Sequence, residues 1–175
     1  MATALYLDAT GVLAKFRPML EPSQRELRMV FASIRLAKWI KEELPKLEST
    51  WKVEVTPQEQ LLTFLELEFC PGETLTYQWQ FKPLTHIRDG IWELKTPDLR
   101  IFGWFWRKDV FIGSAGDLKD RIKEHHLYRG YATEAAMFRN GLGLDEPKFI
   151  PGDDPHAVVS NYGYPQPASR RTVYH

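Results

Sequence analysis

Hydrophobic and polar positions change rhythm several times along this chain, and each rhythm predicts a different element. Leu75, Tyr77, Trp79 and Phe81 alternate with Thr76, Gln78 and Gln80. That period of two is the mark of a half-buried strand, and it is the clearest strand in the sequence. Apolar runs at Gly90–Lys95, Leu99–Trp106 and Asp109–Gly113 predict three more strands, divided by the Thr96-Pro97-Asp98 and Arg107-Lys108-Asp109 turns. Connections this short favour antiparallel pairing. Residues 81–123 therefore read as a β-meander that ends in Lys119, Arg121 and Lys123. In its longest strand Phe102, Trp104 and Trp106 fall on one face and Phe105 on the other, so both faces are expected to be buried.

Helical spacing dominates elsewhere. Leu27, Val30, Phe31, Ile34, Ala37 and Ile40 predict one long helix over Ser23–Leu44, with Ser23 and Glu26 at capping-box spacing and Pro45 as its stop. Its opposite face carries Arg25, Arg28, Arg35, Lys38 and Lys41, which reads first as a solvated face. After a short strand at Trp51–Val55, Thr56, Pro57 and Glu59 announce a second helix, with Leu61, Leu62, Leu65 and Phe69 as its buried side and Cys70-Pro71-Gly72 as its end. Leu118 to Asn140 predicts a third helical stretch, divided or kinked at Gly130. Pro and Gly accumulate beyond Gly143. The resulting expectation is an α+β protein with a single domain over residues 1–150, opened by N-terminal helices, and a Pro/Gly-rich C-terminal tail over 151–175, its last ten to fifteen residues disordered or ordered only on contact.

Composition narrows the function classes. With 175 residues, 43% of them hydrophobic, the chain can bury a full core. Its 23 basic and 23 acidic residues cancel, so any attraction to nucleic acid must come from a local patch. The single cysteine, Cys70, fits a reducing compartment, reads as a buried, inert thiol and leaves a cytoplasmic location as the expectation. No apolar run is long enough to span a bilayer, and no membrane partner is expected.

Phosphate-loop, dinucleotide-binding, nucleophile-elbow and HExxH signatures are absent. His125 and His126 are adjacent, which points them in different directions on a helix and argues against a metal site. The cations carry more information. Lys119 and Lys123 are four apart and share a helix face, whereas Arg121 points elsewhere, and Asp117, Asp120 and Glu124 stand ready to pair with them. If this segment lies at the end of the sheet, the lysines meet Arg100 and form an anion site. An RNA phosphodiester can be cleaved at such a site without a metal: a base assists the 2′-hydroxyl, cations stabilise the phosphate charge, and an acid protonates the leaving oxygen. Tyr128, His125 and His126 are the proton-transfer candidates, and Trp104, Trp106 or Tyr128 offer faces for stacking unpaired bases.

The run Gly90-Ile91-Trp92-Glu93-Leu94-Lys95, followed by Arg100-Ile101-Phe102 and then by Phe111-Ile112 with Lys119, resembles the RelE/HigB-like toxin superfamily, particularly its phage-derived branch. The resemblance covers roughly residues 79–126. It implies a RelE-like α+β fold, with N-terminal helices packed on a small antiparallel sheet and a further C-terminal helix. It also implies a toxin of a toxin–antitoxin system: a ribosome-dependent mRNA endoribonuclease that inhibits translation and is neutralised by a cognate antitoxin protein. On this pattern Arg100 and Lys119 are the catalytic cations; the residues around them add Tyr128 or His125 to move protons and Lys95, Arg121 and Lys123 to bind RNA phosphate. No cofactor is expected. The other function open to the same sequence is a non-catalytic phage or mobile-element protein that uses the scaffold to bind a partner protein.

Overall fold

A computed structural model describes residues 1–50 and 54–166. The chain opens with α1 (Ala4–Ala9), capped by the Thr3 hydroxyl, and β1 (Leu13–Lys15). It then forms β2 (Met29–Ser33) and α2 (Ile34–Glu42). A 3-10 turn at Leu44–Lys46 leads on to α3 (Pro57–Thr63) and a π-helical segment at Phe64–Phe69. Short strands β3 (Leu75–Thr76) and β4 (Phe81–Pro83) precede the long meander of β5 (Ile91–Lys95), β6 (Leu99–Arg107) and β7 (Val110–Leu118). The chain continues through α4 (Lys119–Glu124), α5 (Tyr128–Gly141), α6 (Pro155–Val158) and β8 (Tyr162–Gly163).

Six strands make the main sheet in the order β1-β2-β7-β6-β5-β4, and β3 pairs with β8 separately. The meander pairs antiparallel as expected, but β2 runs parallel to β7, so the sheet is mixed. Parallel pairing requires a crossover, and the helical segments between β2 and the meander supply it. One face of the sheet buries Trp92, Leu94, Leu99, Ile101, Phe105 and Phe111 against α2, α3 and the π-helical segment. The other buries Ile91, Phe102, Trp104 and Ile112 against α1 and α5. Phe102 and Trp104 thus face away from Phe105, as the alternation predicted. A bulge follows Phe102, where Gly103 lies opposite Gly113. A Cβ at Gly103 would intrude on the Ile112 carbonyl oxygen, so only glycine permits this close approach.

The predicted helix over Ser23–Leu44 is wrong in its first half. Residues 29–33 form a strand, and the helix begins at Ser33, whose hydroxyl accepts from Leu36 N–H at 3.0 Å. Val30 and Ala32 enter one core while Phe31 enters the other, so consecutive apolar residues serve two sides of a sheet rather than one side of a helix. Arg28 is no part of a solvated ridge. Its guanidinium is buried, donates to the carbonyls of Phe69, Glu73 and Asn161, and lies 3.4 Å from Asp109. The second helix has its predicted start: Thr56 and Glu59 form the reciprocal capping box. Of its expected buried residues Leu62 is exposed.

The strand predicted over 75–81 is interrupted. Tyr77 to Gln80 make a turn, with Gln78 at φ 71° and the Gln80 side chain accepting from Thr76 N–H at 2.7 Å. The third helical stretch divides at His125 and His126, the latter at φ 55°, while Gly130 lies within α5. The strand expected at Trp51–Val55 falls largely outside the described residues. Within the 151–175 segment, Val158 and Val159 are buried and Val158 accepts from Asp109 N–H at 2.8 Å, so this part of the chain closes over the sheet. Residues 167–175 lie outside the described residues. Among the described residues no helix is long and apolar enough to cross a membrane.

Candidate functional site

Strand register creates the site. Lys95 at the end of β5 lies opposite Arg100 at the start of β6, and Arg100 lies opposite Asp117 at the end of β7. Lys119 begins α4 immediately beyond that strand end. Lys95, Arg100 and Lys119 consequently line one cavity of about 680 Å³, a volume suited to a small organic ligand. Val55, Phe64 and Trp79 supply much of its apolar wall, and Gln60, Glu68 and Gln80 supply polar atoms.

An acid-centred network holds the cavity floor. The Asp98 carboxylate accepts from the Ser49 hydroxyl at 2.7 Å, from the Thr50 hydroxyl at 3.0 Å and from Gln60 Nε2 at 2.6 Å. Burial opposes ionisation of Asp98, but these hydrogen bonds outweigh it and hold the carboxyl below its ordinary value. The Asp98 carbonyl accepts from Lys119 N–H at 2.7 Å, which ties the start of α4 to the same turn. Gln60 is fully occupied here, because its amide oxygen accepts from Asp98 N–H at 3.0 Å and from the Thr96 hydroxyl.

The three cations lie in mutual repulsion. Arg100 is buried; Nη1 donates to the carbonyls of Thr96 at 2.7 Å and Leu99 at 2.8 Å, while its Nε has no hydrogen-bond partner among the described residues. Lys95 Nζ donates to the Gln78 carbonyl at 2.8 Å. Burial, reinforced by the charge of Arg100, lowers the Lys95 ammonium below its usual range. Burial also lowers Lys119, with Arg100 and Lys123 adding to the effect. An anion entering the cavity would relieve this repulsion. Lys123 is exposed on α4, and its charge reaches Lys95, Lys119 and Glu93.

Glu93 and Tyr128 stand behind the cations. Glu93 is 2% exposed, and its Oε2 accepts no hydrogen bond among the described residues. Burial pushes its carboxyl up, against the pull of Arg100 and Lys95. Tyr128, packed edge-on against Phe102, is raised by burial and by the charge of Glu93, with Arg100 opposing. The phenol therefore keeps its proton at neutral pH. Tyr128 stands beside Arg100 without lining the cavity, and His125 caps the end of α4, exposed and likewise outside the lining.

Arg121 does not join either. Its Nε donates to Asp117 Oδ2 at 2.9 Å, an i,i+4 pair that the Tyr131 hydroxyl strengthens by donating to the same oxygen at 2.6 Å. Trp104 is unavailable for stacking because it is buried, with Nε1 donating to the Lys148 carbonyl, and Trp106 is held by Arg107 over its ring. Burial pushes the Cys70 thiol up to about 12, which leaves it unreactive. Among the described residues no group of three His, Cys, Asp or Glu could hold a metal ion.

Sequence reasoning passed over Glu93 and Trp79 as site residues. Glu93 is two residues before Lys95 on the same strand face, so the period of two placed it beside the cations. Trp79 gave no such signal, because its alternation with Gln78 and Gln80 imitated a strand. The chain matches no protein-family model, no curated protein and no solved structure.

Proposed function

We propose that this protein is an RNA-directed toxin that cleaves mRNA on the ribosome and is held in check by an antitoxin protein, on a RelE-like scaffold. The observation that carries this reading is the convergence of Lys95, Arg100 and Lys119 in one cavity with Tyr128 beside Arg100. In the reaction the 2′-hydroxyl attacks the adjacent phosphorus and the bond to the 5′-oxygen breaks, leaving a cyclic phosphate and a free 5′-hydroxyl. Arg100 and Lys95 stabilise the charge that builds on the non-bridging oxygens, and Lys119 joins them once it holds the 2′-hydroxyl proton. A lysine with a lowered pKa has a larger neutral fraction than an ordinary one, so Lys119 can take the 2′-hydroxyl proton. Tyr128, whose phenol is raised, remains protonated and supplies the proton to the leaving oxygen.

The test is translation of a reporter mRNA in a bacterial extract, with the cleavage ends mapped by primer extension. Wild type is expected to arrest translation and cut the message. An Arg100→Ala, Lys119→Ala double variant with native circular dichroism is expected to do neither. The reading is overturned if wild type leaves mRNA intact, or if the folded variant cuts it equally well. Lys119→Ala alone, a change at a half-buried position, guards against loss of fold at Arg100.

A further inference from the structure

The turn at residues 77–80 explains an otherwise costly feature, an indole exposed at the lip of a cationic cavity. Trp79 is 61% exposed, yet it lines the same cavity as Lys95, Arg100 and Lys119. The turn is held rigidly. Gln78 adopts φ 71°, Gln80 Oε1 accepts from Thr76 N–H at 2.7 Å, and Gln80 N–H and Trp79 N–H both donate to the Thr76 carbonyl. Lys95 ties the turn to the cations: its N–H donates to the Gln80 carbonyl and its ammonium to the Gln78 carbonyl, each at 2.8 Å. A flat apolar face and a cluster of positive charge therefore line one cavity, the two features that a base and its phosphate call for.

The geometry points to Trp79 as a stacking platform for one base of single-stranded RNA, with the phosphate of that nucleotide on Lys95, Arg100 and Lys119. This inference deepens the proposed function and rests on its cavity. Glu68, which also lines the cavity and accepts from Gln80 Nε2 at 3.2 Å, repels a second phosphate group. The cavity therefore selects one phosphate with its base rather than a polyphosphate, and the base, lying against the indole face, determines how firmly the strand is held. Trp79 is a positioning residue in this scheme, since it touches the base and not the reacting phosphorus.

Calorimetric titration of the full chain provides the test, with inorganic phosphate, uridine 3′-monophosphate and a uridine trinucleotide as probes. Wild type is expected to bind the nucleotide about tenfold more tightly than phosphate, and the trinucleotide more tightly still. Trp79→Ala is expected to erase the advantage of the nucleotide while leaving phosphate affinity unchanged, and Trp79→Phe to restore much of it. Equal affinity of wild type for phosphate and nucleotide overturns the inference, as does unchanged nucleotide binding in Trp79→Ala or tighter binding of the mononucleotide than of the trinucleotide. The two readings fail separately. A protein that binds as described but never cuts mRNA loses the ribonuclease reading alone. One that cuts mRNA with the same KM in wild type and Trp79→Ala loses the stacking platform alone.

Discussion

Two groups of cations flank the end of β7, and they have opposite electrostatic fates. Arg121 has its charge answered by Asp117, which also accepts from Tyr131 and from Leu118 N–H. Lys95 and Arg100 form no ion pair with any described carboxylate, and the nearby acid, Glu93, is in surroundings that resist its ionisation. Asp117 lies opposite Arg100 in the sheet, yet its carboxylate pairs with Arg121, one helical turn away in sequence. A local i,i+4 pair has neutralised one cation and left its cross-strand neighbour to face the cavity. Unanswered positive charge in a partly buried site is what an anion-binding function requires, while the answered charge serves the junction of β7 and α4.

The widest separation between the two groups should come from Arg100→Ala against Arg121→Ala. Mapped mRNA cleavage is expected to fall at least about 100-fold in the first. In the second it should stay within about twofold, because the Arg121 side chain is largely exposed and lies outside the cavity. Comparable losses in both variants would erase the distinction.

Next in size is the frame that holds Lys119 in place. Asp98→Ala removes the acceptor for Ser49, Thr50 and Gln60, and should cost about 3 kcal/mol of stability in urea unfolding. Because the Asp98 carboxyl is held below its ordinary value, its contribution is fully present above that value and is lost as pH falls through the lower, folded one. The gap between wild type and the variant should therefore narrow only in strong acid. A gap that closes near neutral pH would show that Asp98 is not the anchor.

Glu93→Gln sharpens the comparison from the acid's side. The Glu93 carboxyl is raised, so the stability it gives as a neutral group is complete below the ordinary carboxylate value and is lost as pH rises through the raised one. Relative to wild type, the Gln variant should gain stability across that window, by less than Asp98→Ala loses. A difference that does not change with pH would mean that Glu93 is paired after all.

The smallest effect is expected in the pH dependence of phosphate binding. Lys95 and Lys119 are lowered, so affinity should begin to fall at a pH below the ordinary lysine range as they lose their protons. Isothermal titration across alkaline pH would show it, and a fall confined to the ordinary range would place the lysines outside the phosphate site.

Local chemistry in the sequence determined a good deal of this molecule. The Thr56 capping box, the meander of β5, β6 and β7, the opposite faces of Phe102 and Phe105, and the shared helix face of Lys119 and Lys123 all follow from spacings of two to four residues. Tertiary structure decided what those spacings left ambiguous. Val30-Phe31-Ala32 fits a helix until β7 offers it a parallel partner some eighty residues away. Leu75 to Phe81 fits one strand until β8 takes Leu75 and the Gln78 turn swings Trp79 into solvent. The site followed the same division. Its cations were legible one by one, but which of them stays unanswered depends on cross-strand register, and on a competition for Asp117 that only the folded chain can resolve.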